Sequence, residues 1–302
     1  MAVGEKLTTG SLMRERLSTH LRRFDSFWEL YTASRIGMVG LAVILVVIIV
    51  AILAPYIAPY DPRALVGDPF LHPSVEYLLG TDQIGRDIFS QLIWGSRVSL
   101  MVGLLASATG VAIGTFIGLT SGYFRGPPDS ILMRITDLFI TLPNLPLMLI
   151  LAALIGRSMW NIILVIGVTG WTGTAKMVRS QTLSIKERPY VEAARSVGAR
   201  DRHILIRHIM PNVLPLVFAN AIVGIVDAIL AESGLSFLGL GDPTKPSWGL
   251  ILRYANEAGA LATGRWWFII PPGVCIMLVA IGFAFSSYSL DQILNPRLRK
   301  RR

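Results

Sequence analysis

Charged residues are scarce in this sequence. They make up 16% of the 302 residues, against 53% hydrophobic residues, whereas soluble domains carry roughly 25% charged residues. This composition excludes an ordinary soluble domain and predicts a polytopic membrane protein. Cysteine is also scarce, and Cys275 is the only one in the sequence. An intrachain disulfide is therefore excluded, and helix packing must hold the fold together.

The sequence also lacks the short motifs of several kinds of enzyme. It has no Gly-Lys dipeptide, so the phosphate-binding loop G-x-x-x-x-G-K-[ST] is absent and the chain does not bind ATP in that way. Its four histidines form no H-E-x-x-H pair, and no serine stands in G-x-S-x-G. We expect no catalytic residue, no metal site and no cofactor in this chain. Any energy-converting machinery must come from a partner, because the non-spanning segments are too short to fold as domains.

The sequence contains several long apolar runs. A membrane-spanning helix needs roughly 20 mostly apolar residues. Six runs meet this length, at 36–59, 98–121, 131–156, 160–180, 209–235 and 267–289. The first run is too long and begins too late for a cleaved signal peptide. Six spans place both termini on the same side of the membrane.

The distribution of Lys and Arg predicts which side that is. With both termini inside, 21 of the 28 Lys and Arg residues lie in cytoplasmic segments and the other seven lie outside. Cytoplasmic flanks carry such an excess, so we expect cytoplasmic termini. Anionic lipid at these basic edges accounts for the net charge of +9, and no nucleic-acid partner is needed.

Two segments outside the apolar runs have helical patterns of their own. Phe24, Phe27, Trp28 and Tyr31 recur at helical spacing in the N-terminal tail, which indicates a helix at the lipid headgroups, although a floppy basic tail is the alternative. The outer segment 60–97 is predicted to hold a second interfacial helix. Its expected cap and apolar face are Thr81 or Asp82, then Ile84, Ile88 and Leu92.

Small residues and prolines mark the spans. The second span has a glycine at every fourth position, which favours close approach of a neighbouring helix. These glycines are Gly110, Gly114, Gly118 and Gly122. Pro143 and Pro146 interrupt the third span, and Pro211 and Pro215 begin the fifth. Kinked, glycine-lined helices of this kind can open and close against each other.

The fifth span carries two acidic residues, Asp227 and Glu232. Carboxylates are costly in lipid and commonly mark a polar pathway. The two residues are five apart, about 140° around a helix, so they do not form one tightly paired face. We regard both as candidates for the lining of a pathway, with a structural hydrogen bond to a neighbouring helix as the alternative.

The segment 181–208 lies between the fourth and fifth spans and is predicted to form a short helix-turn-helix. Pro189 suits the first position of a helix that Gly198 ends, and Asp201 is expected to cap the next helix. Ala193 and Ala194 leave room for the backbone of a partner. An amphipathic connector resting on lipid headgroups is the alternative.

The order of residues in "EAARSVGARDRHILIRHIMP" resembles the cytoplasmic E-A-A-three-residues-G motif of permeases from ATP-binding-cassette importers. In that family this loop forms coupling helices that dock into a groove of the ATPase subunit. The resemblance therefore implies an ATPase-coupling role for one set of residues. They are Glu192, Ala193, Ala194, Arg195, Gly198 and Pro211.

Other stretches are similar to the peptide and nickel branch of this family, and to its second permease subunit in particular. They include "LGTDQIGRDIFSQLIWGSRVSL", "GYFRGPPDSILMRITD" and "LSFLGLGDPTKPSWG". The resemblance implies the MetI-like fold of type I importer permeases, in the cytoplasmic membrane of a prokaryote. The expected organisation is a cytoplasmic tail (1–35), a six-span permease domain (36–289) with outer segments 60–97 and 236–266 and the coupling loop 181–208, and a basic tail (290–302).

The implied partners are a second permease, two ATPase subunits or domains that bind ATP and Mg, and an extracytoplasmic solute receptor. The expected cargo is a di- or oligopeptide, with nickel, glutathione or an oligosaccharide as alternatives. Two other functions stay open from the residues alone. One is an ion-coupled carrier using Asp227 and Glu232, and the other is a membrane scaffold without transport.

Overall fold

The computed structural model of the protein describes residues 28 to 294. The predictions for Phe24 and Phe27, and for the basic tail beyond residue 294, lie outside these residues. Every regular element within them is a helix, and the one strand-like pairing in that range is an isolated bridge between Thr81 and Asp87. The prediction of an all-α membrane fold is confirmed.

The helices of the described region are numbered in chain order. They are α1 (Arg35–Ile57), α2 (Ile88–Phe124), α3 (Gly126–Thr141), α4 (Asn144–Ile155), α5 (Met159–Thr169), α6 (Thr172–Lys186), α7 (Pro189–Ser196), α8 (Asp201–Ile204), a π-helical turn (Leu205–Ile209), α9 (Met210–Phe237), α10 (Trp248–Glu257) and α11 (Trp266–Leu294).

Four of these stretches are long and apolar enough to cross a membrane singly: α1, α2, the continuous helix Asp201–Phe237, and α11. Two further spans are bent pairs. The helices α3 and α4 meet at 92°, and α5 and α6 meet at 41°. Counting each pair as one span gives the six spans that the sequence predicts.

The sharp bend in the third span lies where the sequence places Pro143. A residue before proline is pushed out of the α region, and Leu142 is accordingly extended, with φ −77° and ψ 131°. Proline also lacks the N–H that would continue the helical ladder. The chain therefore stops at Thr141 and starts a new helix at Asn144.

The predicted second interfacial helix is wrong. The first helix after α1 begins at Ile88, where the Asp87 carboxylate accepts a hydrogen bond from the N–H of Ser90 at 2.7 Å, and it continues without a break as the second span. Asp82 does not cap it. Its carboxylate instead accepts hydrogen bonds from Arg86 Nε at 2.6 Å and Gln91 Nε2 at 2.9 Å, which fold the preceding turn against the helix.

The glycines of α2 face α6 along most of its length. A Cβ placed on Gly118 would lie 2.5 Å from the carbonyl oxygen of Ala175, and one on Gly114 would lie 2.5 Å from that of Trp171. Gly122 lies against Thr182, and Gly110 against the carbonyl of Gly167. The backbones of α2 and α6 thus come into contact, which any larger side chain at these glycines would prevent. Small residues allow the same close approach between other membrane helices.

Candidate functional site

The loop between α6 and α9 is built on the short helix α7. Pro189 occupies its first turn, where the missing N–H costs nothing. Val191 points inward and is fully buried, whereas Glu192, Ala193 and Arg195 are exposed. The helix therefore fixes one side to the protein and presents the other, which carries the residues assigned to coupling by resemblance.

Gly198 ends α7 in a left-handed conformation, with φ +83°. Its N–H donates to the carbonyl of Arg195 at 3.0 Å, and the N–H of Ala199 donates to that of Ala194 at 3.1 Å. This pair of bonds is a Schellman motif, which satisfies helix-terminal carbonyls and is formed most readily by glycine. The predicted end of the helix at Gly198 is confirmed.

The prediction that Asp201 caps the next helix is wrong. Arg200 occupies the cap position without a side-chain hydrogen bond, and Asp201 is the first residue of α8. The Asp201 carboxylate instead accepts a 2.5 Å hydrogen bond from the hydroxyl of Tyr123, at the end of α2. The Asp201 side chain thus bonds to a distant residue and does not cap its own helix. This hydrogen bond connects the turn between α7 and α8 to the second span.

Pro211 does not interrupt the chain, because α8, a π-helical turn and α9 run on as one helix from Asp201 to Phe237. A proline ring would clash with the ordinary helical ladder one turn back, and the wider π-helical turn at Leu205–Ile209 leaves room for it there. The loop is thus joined to the fifth span by continuous helix. A displacement of the turn at Asp201 would be transmitted along it.

An apolar cluster lies beneath the loop and holds it to the spans. Its buried members are Tyr123, Val178, Ile185, Val191, Ile204, Ile209, Val213 and Val217. Polar contacts at the same end join the helices laterally. Arg179 on α6 makes two 2.6 Å hydrogen bonds to Asp129 on α3, and Arg125 pairs with Glu187 at 2.5 Å.

A cavity of about 570 Å³ opens among α2, α3, α4, α5, α6 and α9, and we call it the central cavity. Asp227 lines it, together with hydroxyl and amide side chains. These polar residues are Ser107, Asn144, Thr169, Thr172, Thr174 and Asn220. The rest of the lining is apolar or glycine, including Gly110 from the glycine series of α2.

Glu232 does not line the central cavity. It is 1% exposed, and its carboxylate accepts hydrogen bonds from Ser236 at 2.6 Å and from Ser99 on α2 at 3.3 Å. The Ser99 oxygen in turn accepts from the N–H of Trp248, the first residue of α10. Glu232 thus joins α2, α9 and α10, and of the two roles considered for it the geometry fits the structural one.

The loop between α9 and α10 is fixed by Asp242. Its carboxylate accepts hydrogen bonds from the Thr244 hydroxyl at 2.6 Å and from the N–H of Met159 at 3.3 Å, which ties the loop to the start of α5. Partial burial alone raises the pKa of the Asp242 carboxyl, but these hydrogen bonds outweigh it and hold the pKa below its ordinary value.

Several of these contacts were not found from the sequence. Tyr123, Asp129 and Arg179 lie within the stretches "GYFRGPPDSILMRITD" and the following spans, but no spacing rule pairs residues 50 or 78 positions apart. Ser99 and its contact to Glu232 carry no local signal either. Nothing in residues 28 to 294 groups three or more His, Cys, Asp or Glu side chains as a metal site would.

The six-span helical fold, with a partly polar cavity among its helices and a loop packed firmly against the spans, defines the class of the protein. It is a membrane transport permease.

The chain belongs to the family described as the binding-protein-dependent transport system inner membrane component, whose model matches residues 110–300. A second model, described as the N-terminal TM domain of oligopeptide transport permease C, matches residues 23–73. The fold is therefore of the MetI-like type found in ABC importer permeases, as the resemblance of the coupling loop implied.

Curated relatives match along nearly the whole chain. The dipeptide transport system permease protein of Bacillus subtilis is 34% identical over 276 residues, which cover 90% of this chain and 85% of that protein. The glutathione transport system permease protein of Pectobacterium atrosepticum is 34% identical over 278 residues, covering 90% and 91%. A dipeptide permease of Haemophilus influenzae is also 34% identical, covering 91% and 95%.

Proposed function

We propose that this chain is one of two non-identical permease subunits of an importer that carries di- or oligopeptides, and that its loop at residues 190 to 212 couples transport to ATP hydrolysis by a separate ATPase subunit. The coupling residues are Glu192, Ala193, Ala194, Arg195, Gly198 and Pro211. A solute receptor on the outer side delivers the peptide to the permease pair.

The observation that carries this proposal is the two-sided character of α7. Its buried side rests on the apolar cluster beneath the loop through Val191, and its other side is exposed and short, with two alanines that let a partner come close. A connector that only rests on lipid would present an apolar face to the membrane. Here Val191 is directed into the protein, and the exposed apolar side chains of Tyr190 and Val197, at the two ends of the helix, are left for a partner to cover.

The mechanism follows from the attachments of the loop. When the ATPase pair closes, it moves α7, and the hydrogen bond from Tyr123 to Asp201 transmits that motion to α2. The continuous helix Asp201–Phe237 transmits it to the fifth span, on which Asp227 lines the central cavity. Rigid helices that rock in this way alternate access to a site near the bilayer midplane.

The peptide cargo is supported by the relatives, two of which are dipeptide permeases and one a glutathione permease. Glutathione is itself a tripeptide, so these names describe related solutes. The Lys and Arg distribution supports cytoplasmic termini and a cytoplasmic-membrane location. The outer segments, including α10, would then face the receptor. ATP and Mg bind to the ATPase subunits, and this chain holds no cofactor of its own.

The experiment is to tag the chain in its native host, extract it gently, and identify by mass spectrometry the proteins that co-purify in comparable amounts. We expect a second permease and ATPase subunits, and we expect the ATPase subunits to be lost when Glu192 and Gly198 are changed. A lone homo-oligomer without an ATPase would overturn the proposal and favour an ion-coupled carrier or a scaffold.

A further inference from the structure

The carboxylate of Asp227 lines the central cavity without a partner. No hydrogen bond or ion pair joins it to another residue between 28 and 294, and two of its polar neighbours are engaged elsewhere. Asn220 donates to Thr174 at 2.8 Å, and Ser107 donates to the carbonyl of Ala221 at 2.9 Å. These two side chains therefore donate hydrogen bonds within the protein. The Asp227 carboxylate stays available to accept hydrogen bonds from a molecule in the cavity.

Asp227 also lies within a candidate membrane span, the continuous helix Asp201–Phe237. It stands ten residues before the end of α9, about 15 Å along the helix axis, which is near the middle of a hydrocarbon core of roughly 30 Å. An unpaired carboxylate in such a place is costly and needs a cation or water. The lining contains no Lys, Arg or His. The residue that balances the charge is thus not supplied by the described part of this chain.

We propose that Asp227 binds the ammonium group of the transported solute as it passes through the central cavity. This rests on the proposed function, in which the solute is a peptide with a free amino terminus. An ammonium group donates up to three hydrogen bonds, and a carboxylate accepts them in the strong, charge-assisted form. The surrounding mixture of apolar, hydroxyl and amide groups suits a chain of varied side chains, since it offers no second charge to select among them.

The test measures the electrostatic preference of the cavity directly. Val223 lines the cavity one helical turn before Asp227, so a cysteine is placed there in a Cys275→Ala background, in native membranes with the partner subunits present. Its reaction rates with a cationic and an anionic methanethiosulfonate are compared. We expect the cation-to-anion rate ratio to fall about tenfold on Asp227→Asn, because a full charge one turn away is removed.

Asp137→Asn is the matched control, because Asp137 pairs with Lys176 at 2.8 Å and does not line the cavity. It should leave the ratio unchanged. A ratio that Asp227→Asn also leaves unchanged would overturn the proposal, since the carboxylate would then be neutralised, for instance by a cation of the second permease. The rate ratio is measured on the chain itself, so it remains informative even if no ATPase partner is found.

Uptake supplies the second arm. In complexes that co-purify normally and hydrolyse ATP in response to the receptor, Asp227→Asn should lower peptide uptake at least about fivefold. Replacing sodium by potassium and dissipating the proton gradient should leave wild-type uptake unchanged while ATP is present. Uptake that instead collapses without an ion gradient would show that the carboxylate binds a coupling ion, and it would contradict the ammonium assignment.

Discussion

The hydroxyl of Tyr123, in the last turn of α2, donates a 2.5 Å hydrogen bond to the carboxylate of Asp201, in the first turn of α8. The two residues are 78 positions apart in sequence. The ring of Tyr123 is buried in the apolar cluster beneath the loop, while Asp201 is exposed. One tyrosine therefore fixes both the packing and the orientation of the turn between α7 and α9.

Tyr123→Phe keeps the ring and removes this hydrogen bond. We expect a loss of about 1 kcal/mol in stability and a larger effect on transport, because the turn can then move without moving α2. The measurement is the amount of peptide taken up per ATP hydrolysed in proteoliposomes. Tyr56→Phe, on a side chain that is 87% exposed, is the control. Equal coupling ratios in the two variants would argue against a role for the Tyr123 hydroxyl.

The close contact between the α2 glycines and α6 predicts that a larger side chain at one of these glycines destabilises the protein. Gly118→Ala places a methyl group 2.5 Å from the Ala175 carbonyl, and such overpacking costs about 1–3 kcal/mol. Gly273→Ala, on α11, meets no atom within 4 Å and should be neutral or slightly stabilising, because alanine favours helix. Melting temperatures in detergent compare the two. An equal response would show that α2 and α6 do not approach as closely as described.

The left-handed conformation of Gly198 predicts a graded series. Gly198→Asn should be tolerated best, Gly198→Ala should cost about 1–2 kcal/mol, and Gly198→Pro should be worst, because proline fixes φ near −65° and removes the N–H that donates to Arg195. Gly156, in the turn between α4 and α5, has φ +101°, so Gly156→Ala carries strain of the same kind. Gly198→Ala should lower uptake per ATP, whereas Gly156→Ala should lower only thermal stability.

Glu232 is expected to matter for stability. Glu232→Leu leaves the hydroxyls of Ser99 and Ser236 without their acceptor in a buried place, at a cost of about 1–3 kcal/mol. Glu232→Gln keeps the size and one acceptor oxygen, so it should lose less. Glu257→Leu, on a half-exposed side chain that pairs with Arg253 on its own helix, is the control. A Glu232→Leu protein that melts like the control would refute the structural role.

Residues that act on their own backbone were predictable from the sequence. Pro143 breaks the third span, Pro189 starts α7 and Gly198 ends it, because proline and glycine limit φ and hydrogen bonding wherever they stand. The apolar runs were equally informative, since membrane thickness sets the length of a span. These rules apply without any knowledge of tertiary contacts.

Residues whose role depends on a distant partner were not predictable in this way. Asp82 and Asp201 were expected to cap helices, but Gln91 and Arg86 engage the first and Tyr123 the second. Asp227 and Glu232 were correctly placed on different faces of one helix. Only the packing of α2 and α10 against α9 shows that Glu232 contacts serine hydroxyls, whereas Asp227 lines the central cavity.

The measurement that tests the central claim most directly is the coupling ratio of a Glu192→Lys variant in proteoliposomes that contain the second permease, the ATPase and the receptor. Glu192 is exposed on α7, so the variant should fold and insert normally. We predict that peptide uptake per ATP falls by at least about tenfold, while Glu29→Lys, on an exposed side chain outside the loop, leaves it unchanged. Uptake per ATP equal to wild type, in a Glu192→Lys protein of normal melting temperature, would contradict the assignment of this loop as the coupling element.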